Sequence, residues 1–208
     1  MRRIIGICAG LVMLTAPGLA SRAWADAPFA PPTPLIDSGQ AKPGPKSVAR
    51  TFTLNGVHGT LEKTTFDEVQ KRFGGQVAHQ GDAGGSLSWL CYDLPAKHLR
   101  VWLAAGALHN HAHQIDQVTI WTVSAPANSP GCPVPAGQES ADIDGVAPGQ
   151  DAASVEARLG APGLSRESWL AYAHNAPAGA GYTESDGLAV NTENGRISHV
   201  QAWRATSN

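Results

Sequence analysis

The chain has 208 residues, with 15 basic and 17 acidic side chains and a formal net charge of −2. A near-neutral, mildly acidic chain lacks the electrostatic footprint that grips nucleic acid or an anionic lipid surface. After the N-terminal apolar segment, no further apolar run is long enough to span a bilayer, which takes about 20 residues.

The first 25 residues have the order of a secretory signal. Arg2 and Arg3 are basic, Ile4 to Leu14 is apolar, and Ala23-Trp24-Ala25 is a small-x-small cleavage site. Cleavage after Ala25 would leave 12 basic against 17 acidic side chains, a net charge of −5. It would also remove Cys8 and leave two cysteines, Cys91 and Cys132. An even pair in an exported chain is expected to form a disulfide. Closing a loop of this length would stabilise by about 4 kcal/mol through the entropy of the unfolded chain. The expected location is periplasmic or secreted.

Residues 26–47 are proline-rich, with Pro28, Pro31, Pro32, Pro34, Pro43 and Pro45. Proline removes backbone donors and disfavours helix, so this stretch is expected to be a disordered tether. Folded structure is expected from Val48. Phe66-x-x-Val69-x-x-Arg72-Phe73-Gly74 matches Ala152-x-x-Val155-x-x-Arg158-Leu159-Gly160, apolar at helical spacing and ended by glycine. Thr65 with Glu68 forms a capping box, and Asp151 can cap the second helix. Trp89-Leu90-Cys91-Tyr92 then matches Trp169-Leu170-Ala171-Tyr172, with the composition of strands. Ile115-x-x-Val118-x-x-Trp121 matches Ile197-x-x-Val200-x-x-Trp203. Further strands are expected at Leu99 to Ala104 and Gly187 to Asn191, with a hairpin turn at Glu193-Asn194-Gly195. The matches in order predict two copies of one unit. The expected fold class is α+β, each copy a helix plus a three-stranded antiparallel sheet. The copies would span 48–125 and 141–208, joined by a linker at 126–140.

A short helix ending in Arg-x-Gly, a Trp-x-x-Tyr strand and a hairpin into an Ile-x-x-Val strand resemble a known group. It is the small α+β fold of the β-lactamase inhibitor proteins and the outer-membrane assembly lipoprotein. The inhibitors carry two such copies in tandem. The resemblance implies protein binding through a sheet face not covered by helices; it does not imply inhibition of a β-lactamase. Tryptophan is enriched where binding energy concentrates, so Trp102, Trp121, Trp169 and Trp203 are candidate partner anchors. Alternation alone does not say which face they occupy.

Chemistry is sparsely encoded. His109-Asn110-His111-Ala112-His113 places imidazoles at i, i+2 and i+4. On a strand the first two lie roughly 6.5–7 Å apart and can share an ion, whereas the third needs a bend. Three imidazoles suit zinc or copper. Gly84-Gly85-Ser86 is not the Gly-x-Ser-x-Gly of a nucleophile elbow. The glycines from Gly74 to Gly85 lack the spacing and lysine of a phosphate loop. The resulting expectation is a non-enzymatic module, of enzyme-inhibitor or envelope-assembly type, that binds another envelope or secreted protein. The alternative is a periplasmic metal-binding protein using His109, His111 and His113.

Overall fold

The computed structural model describes residues 30–33, 36–82, 85–106, 113–124, 129 and 131–208. The expected signal segment, 1–25, lies outside them. In chain order the elements are β1 (Thr51–Leu54), β2 (Val57–Thr60), α1 (Phe66–Phe73), β3 (Ala78–Gln80), β4 (Leu87–Leu94), β5 (Leu99–Gly106) and β6 (Gln117–Thr122). There follow β7 (Ala141–Ile143), α2 (Ala152–Leu159), β8 (Leu164–Arg166), β9 (Trp169–Gly179), β10 (Tyr182–Glu193) and β11 (Arg196–Ser207).

Both helices fall where their periodicity places them, and glycine follows each one. At α1 the capping box is complete. Glu68 N–H donates to the Thr65 hydroxyl at 3.3 Å, and Thr65 N–H donates to the Glu68 carboxylate at 2.8 Å. The Tyr92 hydroxyl closes the other end by donating to the Gly74 carbonyl at 2.8 Å. Asp151 stands at the N-cap of α2, but its side chain makes no capping hydrogen bond.

The expected pair of three-stranded α+β units is overturned. The described residues are mostly β, with 48% strand and 14% helix. One antiparallel sheet of eight strands, in the order β3-β4-β5-β6-β11-β10-β9-β8, runs through both halves. A second sheet, β2-β1-β7, draws its third strand from the region after the linker. The reason for the merger lies at the seam. In β6 and β11, Val118, Ile120, Val200 and Ala202 point to one side. Separate units would each leave an edge there exposed to water, and pairing the two edges removes both.

Alternation along these strands creates two unlike faces. On one, Leu90, Tyr92, Val101, Leu103, Val118, Ile120, Leu188, Val190 and Val200 form a dry layer with Phe66, Val69 and Val155 of the helices. Phe52, Leu54, Ala141 and Ile143 of the small sheet join the same cluster. Full burial of each branched or aromatic chain here contributes roughly 1.5–3 kcal/mol. Among the described residues, the opposite face carries no α-helix.

The N-terminal segment also departs from expectation. The second half of the proline-rich stretch is docked, with Ile36 and Ala41 packed against Trp169, Ala171, Ala173 and Ala189. The strap crosses the sheet edge at Pro43 and Gly44, where Gly44 N–H donates to the Ala173 carbonyl at 2.8 Å. On the helix side, Val48 and Ala49 N–H both donate to the buried Asp186 carboxylate, at 2.6 and 3.1 Å. Proline is compatible with this path because an edge-lying strap needs few donors.

Cys91 on β4 and Cys132 of the linker form a disulfide that closes a sequence separation of 41 residues. Replacing Cys91 by serine should cost about 4 kcal/mol, and roughly 10 °C in melting temperature, under oxidising conditions. Calorimetry of both proteins with and without reductant checks this. Equal melting temperatures in oxidising buffer would refute it.

Candidate partner-binding face

The strand registers order the helix-free face into rows across the sheet. One row reads Asp93, Arg100, Trp121, His199, Asn191, Trp169. The next reads Cys91, Trp102, Thr119, Gln201, Ala189, Ala171. The third reads Trp89, Ala104, Gln117, Trp203, Gly187, Ala173. Trp89, Trp102, Trp121, Trp169 and Trp203 therefore share one face, which alternation alone left undecided.

Two covers lie on this face, one at each end. Over β4 and β5, Cys132 seals a cluster of Trp89, Trp102, Ala78 and Ala104. Beside it Arg100 grips the buried Asp93 carboxylate through two hydrogen bonds, 2.6 and 3.1 Å, and also donates to the Ser129 hydroxyl. The Arg100 guanidinium lies 5.9 Å from the Trp102 ring centre. Over β9 and β10 the cover is the strap, to whose Ser38 hydroxyl Trp203 Nε1–H donates at 2.7 Å.

Between the covers runs a trench with Thr119 at its floor. Trp121, His199, Gln201, Gln117 and Trp203 line it and are all half-buried. The four tryptophans singled out from sequence thus divide. Trp102 and Trp169 are each 5% exposed and lie in the apolar clusters beneath the covers. Trp121 and Trp203 keep part of their surface accessible.

His199, which no motif marked, sits at the centre of the trench. Its ring centre is 4.2 Å from that of Trp121, edge-on, and 6.2 Å from that of Trp169. A relay of hydrogen bonds orients it. Asn191 Nδ2 donates to Ser168 at 2.7 Å, which turns the Asn191 Oδ1 toward Ser198. The Ser198 hydroxyl donates to that oxygen at 2.9 Å. Its own oxygen, 2.7 Å from His199 Nδ1, therefore accepts the hydrogen bond from Nδ1–H and leaves Nε2 as an acceptor. Ser198 is buried and donates to Asn191, so this serine–histidine contact orients the ring.

Of the histidine cluster, His109 and His111 lie outside the described residues. His113 is exposed in a left-handed turn, φ 86°, and its carbonyl accepts from Phe66 N–H. Among the described residues, His174, Glu184 and Asp186 bring ligand-type atoms within 4.8 Å of one another. Arg204 already stands among them, paired with Glu184 and 3.7 Å from Asp186. A resident guanidinium neutralises the charge a cation would need, and Asp186 is committed to the strap. This cluster acts as a clasp for Val48 and Ala49.

No helix among the described residues is long and apolar enough to cross a membrane. Comparison with protein-family models, with curated proteins and with solved structures returns no match.

Burial holds the His199 pKa below the ordinary histidine value of 6.5, against an opposing upward pull from Glu193. The folded state disfavours the charged ring, so the unfolded chain takes up the proton first as pH falls. The stability carried by this burial is complete above the ordinary histidine range and is lost as pH drops below it. An NMR titration should place the His199 midpoint below that of a free histidine. Between pH 7 and pH 5 the wild type should lose more melting temperature than His199→Gln. Equal losses would refute the assignment.

Proposed function

We propose that this chain is an exported, non-enzymatic module that binds another envelope or secreted protein through the helix-free face of its large sheet. The observation that carries the reading is the sorting of tryptophans. The helix side takes aliphatic side chains together with Tyr92 and Tyr172, and is closed by α1, α2 and the small sheet. The other side takes Trp89, Trp102, Trp121, Trp169 and Trp203, of which Trp121 and Trp203 remain partly accessible. Half-buried tryptophan flanked by amides has the character of an interface hot spot, an apolar body with a polar rim. The disulfide holds the β4–β5 end of this surface in one shape, which lowers the ordering cost of binding.

The resemblance to the β-lactamase inhibitor proteins supports the same reading. Each half follows one order, a helix and then four strands, and the halves meet through their last strands, β6 and β11. The trench lies at this join. An oxidising compartment suits the disulfide, and the N-terminal signal pattern supplies the route there.

Site-directed photocross-linking in the envelope fraction tests the reading. A photoreactive residue at position 201, in the trench, should give one discrete protein adduct. The same residue at position 156, exposed on α2, should not. Adding Trp121→Ala to the position-201 protein should reduce the adduct at least tenfold. Absence of an adduct, or the same adduct from both positions, would overturn the proposal.

A further inference from the structure

The strap sits in a seat cut into the sheet. Two glycines make the room. A Cβ on Gly163 would lie 2.2 Å from the Lys42 carbonyl oxygen and 2.7 Å from Lys42 N. A Cβ on Gly187 would lie 2.5 Å from both the Ser38 hydroxyl and Trp203 Nε1. Any larger residue at either place would collide with the chain that lies there. The seat also reads backbone and side chain separately. Gly163 and Ala173 offer carbonyls to Lys42 and Gly44 N–H, at 3.2 and 2.8 Å. Trp203 offers an indole N–H to Ser38. An apolar floor of Trp169, Ala171 and Ala189 takes Ile36 and Ala41. Asp37 caps the short 3-10 turn Ser38–Gln40 by accepting from Gly39 N–H at 2.9 Å.

The strap is held differently from the cover over β4 and β5. That cover is covalent, through Cys91 and Cys132. The strap has two small apolar anchors and a few hydrogen bonds. Residues 42–46, which lead from it to the Asp186 clasp, are all exposed. A segment tied down so lightly is drawn from the low-stability end of a fold and opens locally without unfolding the rest.

We propose that this seat is a peptide-binding cleft, filled in cis by residues 36–44 and filled in the working complex by a segment of the partner. The occupant it fits is a segment with a branched aliphatic residue, an Asp-capped turn bearing a hydroxyl two positions on, and a small residue three further. That is the chemistry of Ile36, Asp37, Ser38 and Ala41. The strap then regulates the face, because Trp169 and the indole N–H of Trp203 become available only when it leaves. This rests on the reading of the helix-free face as the partner surface.

The probe is a fluorescein-labelled synthetic peptide of residues 33–46, measured by anisotropy against three full-chain proteins. These are the wild type, the variant Ile36→Asp with Ala41→Asp, and Gly163→Ala. Hydrogen exchange reports the amides of Lys42 and Gly44 in each. Both variants should lose protection at those amides while the strands keep theirs. The double variant, whose seat is intact, should bind the peptide at least tenfold more tightly than the wild type. Gly163→Ala, whose strap is out but whose seat is blocked, should not. Equal binding to all three, or binding to none, would overturn the proposal. So would protection that persists in the double variant, since a cover that two buried carboxylates fail to dislodge is a fixed part of the fold. Any of these failures would leave the position-201 adduct intact, so loss of the cleft and loss of the partner surface are separable.

Discussion

Everything distinctive about this protein follows from the pairing of β6 with β11. Five residue pairs, from Trp121 opposite His199 to Gln117 opposite Trp203, join two half-sheets into one. The register is not free to slip. A shift by one residue would turn Val118, Ile120, Val200 and Ala202 away from the helix layer and bury Trp121, His199 and Trp203 beneath it. The cost of exposing the aliphatic set fixes the seam, and the seam fixes which side chains meet on the other face. The trench exists because the polar and aromatic residues of both central strands have nowhere else to point.

A sheet this wide presents two faces, and the protein closes them by different means. The helix side is a hydrocarbon layer sealed by α1, α2 and β2-β1-β7. The other side is sealed, among the described residues, at its flanks, by a cross-linked loop and by a docked strap. Polar groups under these covers are matched. Asp93 meets Arg100, Asn191 meets Ser168 and Ser198, and Ser38 meets Trp203. Buried polar groups left without such partners would cost more than the covers contribute. On the helix side, Asp186 does similar work for the backbone of Val48 and Ala49, so one carboxylate ties the strap to the sheet core.

Much of the local structure was legible in the sequence, because local signals determined it. The helices at 66–73 and 152–159 were written in apolar spacing, capping and terminal glycine. The strings around Trp89, Trp169 and Trp203 lie in strands, and that around Trp121 does so from Gln117 onward, with Ile115 before the strand. The Cys91–Cys132 bond follows from parity and the signal pattern. What escaped was non-local. Strands of three or four residues, such as β3, β7 and β8, are defined by a neighbour's hydrogen bonds and not by their own composition. The outer reaches of β10 and β11, rich in Thr, Ser and Glu, have no alternating apolar pattern because they extend beyond β6. The strap looked like a tether because its prolines dominate its composition, while its anchors, Ile36 and Ala41, are two residues in a dozen. His199 was invisible because its environment is assembled from β6, β9, β10 and β11, and no segment of the chain carries that arrangement.

The seam also imposes a timetable. The edge of β6 is complete once residue 122 has been made, but its partner strand lies some 80 residues later. Until residues 199–203 arrive, the first half-sheet presents Gln117–Thr122 as a bare edge, apolar on one side and aromatic on the other. Such an edge is a template for pairing with any other chain in reach. The nascent protein therefore passes through an interval in which its own second half is the safe partner and every neighbouring copy is a hazardous one. Slow emergence of residues 123–198 into the compartment where the chain folds would lengthen that interval, and crowding of many copies would make it costly.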